Sequence, residues 1–337
     1  MDNRNSSYSS ESKIFSLSLF ILLTAIILAS TLYYSYNNGS LYIKYLAVKE
    51  YTIGLNKQEM KEYVIELCRH NSFGKAAKLM ERFIEQPKNT NEEDKHLLAE
   101  IYFKNANYKK ALPLYEELYN TSEEPEGYMF FYSACLYHLE QYSKALPIFY
   151  QYFSMDDTLL DNAEYIVKTL LKQKKKLEGL SFIESYTEKY PKIKKYFVTY
   201  INRLEKLPDI KNSKSIRIAG INNHFHIPIK FGTSDKGHKY IVDTGASFMT
   251  INPQIFKQNE GVIRKTGTKV SVVNADNKVS ALDIVVIDWI KVGDIELKNV
   301  RAILKPKGEN LLGQNVLKQF QINTQKENGI AFMELVR

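Results

Sequence analysis

Three regimes of hydrophobic patterning follow one another along the chain. The first is unbroken: no charged residue occurs between Lys13 and Lys44, and FSLSLFILLTAIILASTLYY (Phe15–Tyr34) is mostly Leu, Ile, Ala and Phe. The second runs over about residues 58–205, where apolar positions recur at helical spacing between lysines and glutamates. The third starts at Ile216, where the helical period stops. HFHIPIKF, YIVDTG, VSVVNADNKVS, LDIVVIDWI, KVGDIELKNV and GIAFMELV read as short strands, with turns at pairs such as Gly293-Asp294 and Asn328-Gly329. Between the second and third regimes, the polar stretch DIKNSKS after Leu207-Pro208 marks a boundary. The pattern divides the chain into a tail (1–13), an apolar segment (14–36), a juxtamembrane segment (37–57), a helical domain (58–205), a linker (206–217) and a β domain (218–337).

Twenty mostly apolar residues at helical rise match a hydrocarbon core of roughly 30 Å, so 14–36 is expected to be a single-pass transmembrane helix. Tyr33, Tyr34 and Tyr36 stand at one end of it, where amphipathic rings favour the interface. A cleaved signal peptide is the rival, with a shorter apolar core and a small-x-small site, and no clear A-x-A follows here. Arg4 and Lys13 before the span balance Lys44 and Lys49 after it, so charge gives little bias to orientation. The expectation is a membrane location, with the bulk periplasmic or extracytoplasmic and the lipid bilayer as one partner.

The helical region repeats. YKKALPLYEELY starts at Tyr108 and YSKALPIFYQYF at Tyr142, and Ala111 to Ala145 and Pro113 to Pro147 keep the same 34-residue offset. FGKAAKLMERFI from Phe73 is an earlier copy, and LEGLSFIESYTEKYP, with Gly179, a weaker later one. Small residues (Ala76, Ala111, Ala145, Gly179) let two helices approach, and large apolar residues fill the groove to the next pair. This period and small–large alternation resemble tetratricopeptide repeats. The resemblance implies stacked helix pairs with a concave surface suited to a peptide or an adaptor protein. A helical spacer without ligand is the bland alternative.

In the third region, an apolar strand runs into Asp243-Thr244-Gly245-Ala246-Ser247, and Leu311-Leu312-Gly313-Gln-Asn-Val-Leu follows about 70 residues on. This order and spacing resemble the retropepsin-like aspartic proteases. The expected fold class is therefore multidomain: an N-terminal transmembrane helix, all-α tetratricopeptide-like helical repeats, then an all-β retropepsin-like acid protease domain. The resemblance implies catalysis by Asp243, Thr244 and Gly245, with Thr244 bonding across a dimer interface. It implies that Ala246 and Ser247 line the substrate site and that Leu311, Leu312 and Gly313 support the catalytic loop. VSVVNADNKVS is the flap candidate; its tip, Asn274, Ala275, Asp276 and Asn277, lacks glycine but suits a turn.

Aspartate-driven hydrolysis takes two carboxylates, and the motif occurs once. Asp276 and Asp294 look like turn residues, Asp283 and Asp288 like polar strand positions. The resemblance therefore implies a homodimer, with Asp243 from each subunit meeting at the two-fold axis. His224 and His226 lie two apart, but no third ligand is evident, so no metal is expected, and no cofactor either. Cys68 and Cys135 read as buried thiols. The net charge of +8 is spread over helical segments without a nucleic-acid motif, so nucleic acid is not an expected partner. The reading is a membrane-anchored aspartic endopeptidase whose repeats recruit a protein substrate or partner; the alternative is a non-catalytic peptide-binding or scaffold protein.

Overall fold

The computed structural model describes residues 40–85, 91–208, 214–273 and 279–337. They fall into two compact units, divided between Ser122 and Glu123. The first unit holds α1 (Ser40–Thr52), α2 (Lys57–Arg69), α3 (Phe73–Ile84), α4 (Glu92–Lys104) and α5 (Tyr108–Thr121). The second holds α6 (Glu126–His138), α7 (Tyr142–Met155), α8 (Leu160–Lys172), α9 (Lys176–Lys189) and α10 (Lys194–Glu205), followed by the strands.

Local chemistry sets the helix ends. Asn56 and Glu59 form a reciprocal capping box that starts α2, and Asn91 caps α4 through the Asp94 amide at 2.8 Å. Within each pair the first helix ends in the same way. Asn71, Ala106, Glu140 and Lys174 adopt left-handed φ between 55° and 60°. The next residue's amide reaches back to the last helical turn, as in Ser72 N–H to Leu67 and Lys175 N–H to Leu170. The packing logic of the repeats is visible too. Ala76, Ala111 and Ala145 are fully buried. A Cβ on Gly179 would sit 2.9 Å from both Leu204 methyls, so α9 and α10 approach closely only because that residue has none.

One expectation is corrected. Among the described residues no helix is long and apolar enough to cross a membrane. The ten helices α1–α10 run 12 to 14 residues, roughly 20 Å at 1.5 Å per residue, and carry charged side chains. The transmembrane helix read over 14–36 lies outside the described residues. The single-pass anchor, the membrane location and the bilayer as a partner are accordingly withdrawn.

The β domain comprises β1 (Ser215–Ile221), β2 (His224–Phe231), β3 (His238–Val242), β4 (Met249–Ile251), α11 (Pro253–Gln258), β5 (Ile263–Val273), β6 (Val279–Val292), β7 (Ile295–Leu304), β8 (Leu311–Leu312), α12 (Gln314–Leu317), β9 (Gln321–Glu327) and β10 (Ile330–Val336). The sheet runs β4-β7-β6-β2-β1-β10-β9, with β3 beside β2, β8 beside β3 and β5 beside β6. Asn222-Asn223 and Asn328-Gly329 take positive φ at both turn positions, the geometry that tight hairpins require. Ile218, Ile229, Val285, Ile287, Val292 and Leu312 are fully buried in one apolar core.

Helix α9 lies directly on β1 and β2. The Ser181 hydroxyl donates to the Ala219 carbonyl and the Ser185 hydroxyl to the His224 carbonyl. Arg217 of β1 forks onto Glu327, stacks on the Phe332 ring at 3.9 Å, and stands 3.8 Å from buried Glu178 of α9. The last helices and the sheet thus share one packed interior.

Candidate active site

Strand β3 delivers the candidate acid. Tyr240 and Val242 are buried, which fixes the strand's face and leaves Asp243 at its end, half-buried. β3 pairs in parallel with β8, Ile241 opposite Leu311 and Val242 opposite Leu312, and the Asp243 amide donates to the Leu312 carbonyl at 3.1 Å. The chain then turns sharply under the carboxylate. Oδ1 of Asp243 accepts from the amides of Gly245 at 2.8 Å and Ala246 at 3.1 Å. One carboxylate oxygen is thereby held by backbone, and Oδ2 has no hydrogen-bond partner among the described residues.

The loop after Asp243 is pinned from behind by α12. The amides of Gln314 and Asn315 donate to the Ala246 and Ser247 carbonyls at 2.8 and 3.1 Å. The Gln314 side chain donates to the Thr244 carbonyl at 2.9 Å. A Cβ on Gly313 would lie 2.5 Å from the carbonyl carbon and oxygen of Phe248, so only glycine fits there. Asn315 accepts from the Met249 amide at 2.7 Å and donates to the Arg301 carbonyl at 2.6 Å. Thr250 accepts from the Leu311 amide at 2.8 Å and donates to the Glu309 carbonyl at 3.2 Å.

Asp243 opens on a cleft of about 620 Å³. Its walls are the loop residues Gly245, Ala246, Ser247 and Phe248, the hairpin residues Val270, Ser271, Val272 and Leu282 of β5 and β6, and Thr250, Ile303, Lys305 and Leu311. Asp243 is the one carboxylate among the described residues lining it. Asp283 pairs with Lys265 at 3.1 Å and Asp288 with Arg264, both on the hairpin, and Asp294 occupies a turn. A single carboxylate cannot act as acid and base at once in this class of chemistry.

Comparison with known proteins identifies the domain. The family model described as "gag-polyprotein putative aspartyl protease" matches residues 229–319. The β domain is retropepsin-like. The crystal structure of a retropepsin-like aspartic protease from Rickettsia conorii is 21% identical, covering 36% of this chain and 89% of that one, with a TM-score of 0.27. Upstream, the model of anaphase-promoting complex, cyclosome, subunit 3 matches residues 69–152, and tetratricopeptide-like repeats precede the retropepsin-like domain. Two structures of MamA are also similar to this chain: MSR-1 C2 is 13% identical, covering 51% of this chain and 90% of that one, and AMB-1 is 12% identical, covering 51% and 86%, each with a TM-score of 0.34. A comparison with curated protein sequences finds no match.

In the retropepsin-like domain, Asp243, Gly245, Ala246 and Ser247 meet at the cleft, with Leu311 in its wall and Leu312 and Gly313 behind the loop. Thr244 is exposed and faces a different groove, shared with Val242, Ile322 and Thr324. Asn274, Ala275, Asp276 and Asn277 lie outside the described residues. Thr250, Asn315 and Lys305 carry no assignment from sequence. The signal for Thr250 is a polar residue flanked by buried Met249 and Ile251; Asn315 sits inside the quoted Leu-Leu-Gly motif. Among the described residues no group of three or more His, Cys, Asp or Glu is arranged to hold a metal. His226 is buried, its Nδ1 3.1 Å from the Ser185 hydroxyl and its Nε2 3.1 Å from a Glu188 oxygen; burial and Lys239 push its pKa down. His224 beside it is exposed.

Proposed function

We propose that the chain is an aspartic-type endopeptidase whose active centre is completed by a second copy of itself, each copy supplying Asp243. The observation that carries this reading is the backbone-held carboxylate at the end of β3, one oxygen fixed by two amides, opening on a cleft that contains no second acid among the described residues. Retropepsin-like domains act as dimers, and tetratricopeptide-like repeats mediate protein interactions; both support the reading. Thr244, exposed and with its hydroxyl unpartnered among the described residues, is suited to bond across the dimer interface.

Two carboxylates about 3 Å apart share one proton. The ionised member takes a proton from water as the water oxygen attacks the peptide carbonyl carbon. The protonated member gives its proton to the carbonyl oxygen. Collapse of the tetrahedral adduct breaks the C–N bond, and the nitrogen leaves as an amine after taking a proton. The scheme uses neither a metal nor a covalent intermediate. The β5–β6 hairpin, which forms one wall of the cleft, is placed to cover a bound peptide and exclude water. The repeats would recruit a protein substrate or an adaptor.

The test is digestion of a denatured protein mixture between about pH 4 and 7, where such acid pairs hold one proton, with and without a statine-type transition-state mimic. Cleavage is expected to depend on Asp243, to vanish in Asp243→Asn without loss of fold, and to be blocked by the mimic. Sedimentation should show a dimer under active conditions. Activity in the purified Asp243→Asn protein, or full activity from a strict monomer, rejects the proposal.

A further inference from the structure

The wall of the Asp243 cleft is largely apolar, with Phe248, Val270, Val272, Leu282, Ile303 and Leu311 lining it. Set into that wall is Lys305, the one cation among the described residues that line it. Its backbone is fixed directly after β7, where its amide donates to the Ile251 carbonyl at 2.8 Å. Its side chain lies over the turn that follows. Gly308, with φ at +104°, lies under its tip: a Cβ there would stand 3.3 Å from Lys305 Nζ and 3.4 Å from Cε.

Three lysines of the same domain have acidic neighbours. Lys265 pairs with Asp283 at 3.1 Å, Lys239 stands 3.5 Å from Glu184, and Lys298 stands 3.8 Å from Glu296. Lys305 is half-buried and has no ion-pair partner among the described residues. A half-buried lysine without a carboxylate partner among the described residues, in the lining of a space that a ligand would fill, is placed to bind a carboxylate from that ligand. It also offsets the repulsion that Asp243 would exert on an acidic ligand in the same cleft.

We propose that Lys305 sets substrate preference: the cleft takes an extended peptide with large apolar side chains and, next to them, a Glu or Asp whose carboxylate pairs with the Lys305 ammonium. This rests on the cleft being the substrate site of the proposed peptidase, and it names the class of peptide that site selects.

Binding separates the two claims. Full-chain Asp243→Asn protein, which should bind without turnover, is titrated into fluorescein-labelled apolar octapeptides that differ only in carrying Glu, Gln or Lys at each position in turn. At one or two positions the Glu peptide should bind about tenfold tighter than its Gln counterpart, the scale of one charge-assisted hydrogen bond. Adding Lys305→Met, which keeps the aliphatic stem, should abolish that difference, and Lys305→Glu should turn it in favour of the Lys peptide. In digests by the chain with Asp243 intact, mass spectrometry should find acidic residues enriched beside the cut, and the enrichment lost in Lys305→Met. Equal or absent binding of the three peptide sets, or a Glu preference that survives Lys305→Glu, overturns the proposal. Lys305-dependent Glu preference without Asp243-dependent cleavage upholds the recognition and rejects the peptidase.

Discussion

Gly313 is the residue on which the Asp243 loop rests. Any side chain there meets the backbone of Phe248 at 2.5 Å and of Ala246 at 2.8 Å, and backbone does not swing aside as the tip of a long side chain does. Gly313→Ala should therefore displace the loop that holds Asp243, costing about 2–3 kcal/mol of stability and most of the cleavage. Gly261→Ala is the control: nothing lies within 4 Å of a Cβ there, and urea melts should match the parent within about 0.5 kcal/mol. The opposite sign is expected at Ala106. Its φ of 55° is left-handed, where a Cβ costs about 1–2 kcal/mol and glycine is relieved of that cost at a smaller entropic penalty. Ala106→Gly should raise stability by about 0.5–1 kcal/mol in the same melts; a loss would show that the turn is held by its side chain.

At the scale of elements, α9 joins the repeats to the sheet. Its buried face carries Ser181 and Ser185 one turn apart, with Glu184 and Glu188 beside them, against β1 and β2. His226 on β2 sits opposite Ile241 on β3, two residues before Asp243, so this junction backs the strand that delivers the acid. The charged groups facing His226 are Glu184 and Glu188 from α9 and Lys239 from β3, with His224 on its own strand also near Glu188. Burial and then Lys239 lower the His226 pKa, while the two glutamates oppose them. The unfolded chain therefore takes up the proton first as pH falls. The stability held by neutral His226 is complete above the unfolded value of about 6.5 and is lost as pH falls below it through the lower folded value. Thermal melts of the full chain should drop between about pH 8 and 5, and His226→Gln should flatten part of that slope. His138 and His238, also lowered chiefly by burial, keep the remainder. An unchanged slope in His226→Gln would remove His226 from the account. The junction was not legible in sequence because α9 reads as one more repeat helix, and only its neighbours explain its serines. Strand β9 was hidden for a related reason: QINTQKE is a mostly exposed edge with little apolar alternation, and β4 is too short to show any. What did show was whatever recurs or is chemically constrained: the 34-residue period, because each pair solves the same packing problem, and Asp-Thr-Gly with Leu-Leu-Gly, because the loop under Asp243 admits few other residues.

For the whole molecule, the polar stretch DIKNSKS and the division in packing fall at different places. The stretch follows Leu207-Pro208, whereas the compact units divide between Ser122 and Glu123. Helices α6–α10 thus share a unit with the retropepsin-like domain, and its sheet is not finished without them. Tyr150 of α7 packs edge-on against Phe332 of β10 at 5.5 Å and donates to Glu178, the same buried acid that Arg217 of β1 approaches. Leu177 would collide with any side chain on Gly293 at 2.7 Å, and Ser154 with one on Gly329 at 2.0 Å, so both turns are shaped to receive the helices. A fragment beginning at Lys214 keeps every strand and the whole Asp243 cleft, yet leaves Ala219, Ile221 and His226 exposed on one side and Arg217 without Glu178. A fragment beginning at Glu123 keeps all of these contacts. The longer fragment should unfold in one cooperative transition by circular dichroism. The shorter should melt at least about 10 °C lower or lose cooperativity, since several kcal/mol of buried contact are removed from a small domain. Equal melting temperatures would mean that the β domain stands alone and that α9 only leans on it; a cooperative long fragment with a failing short one would make the last helices part of the protease fold itself.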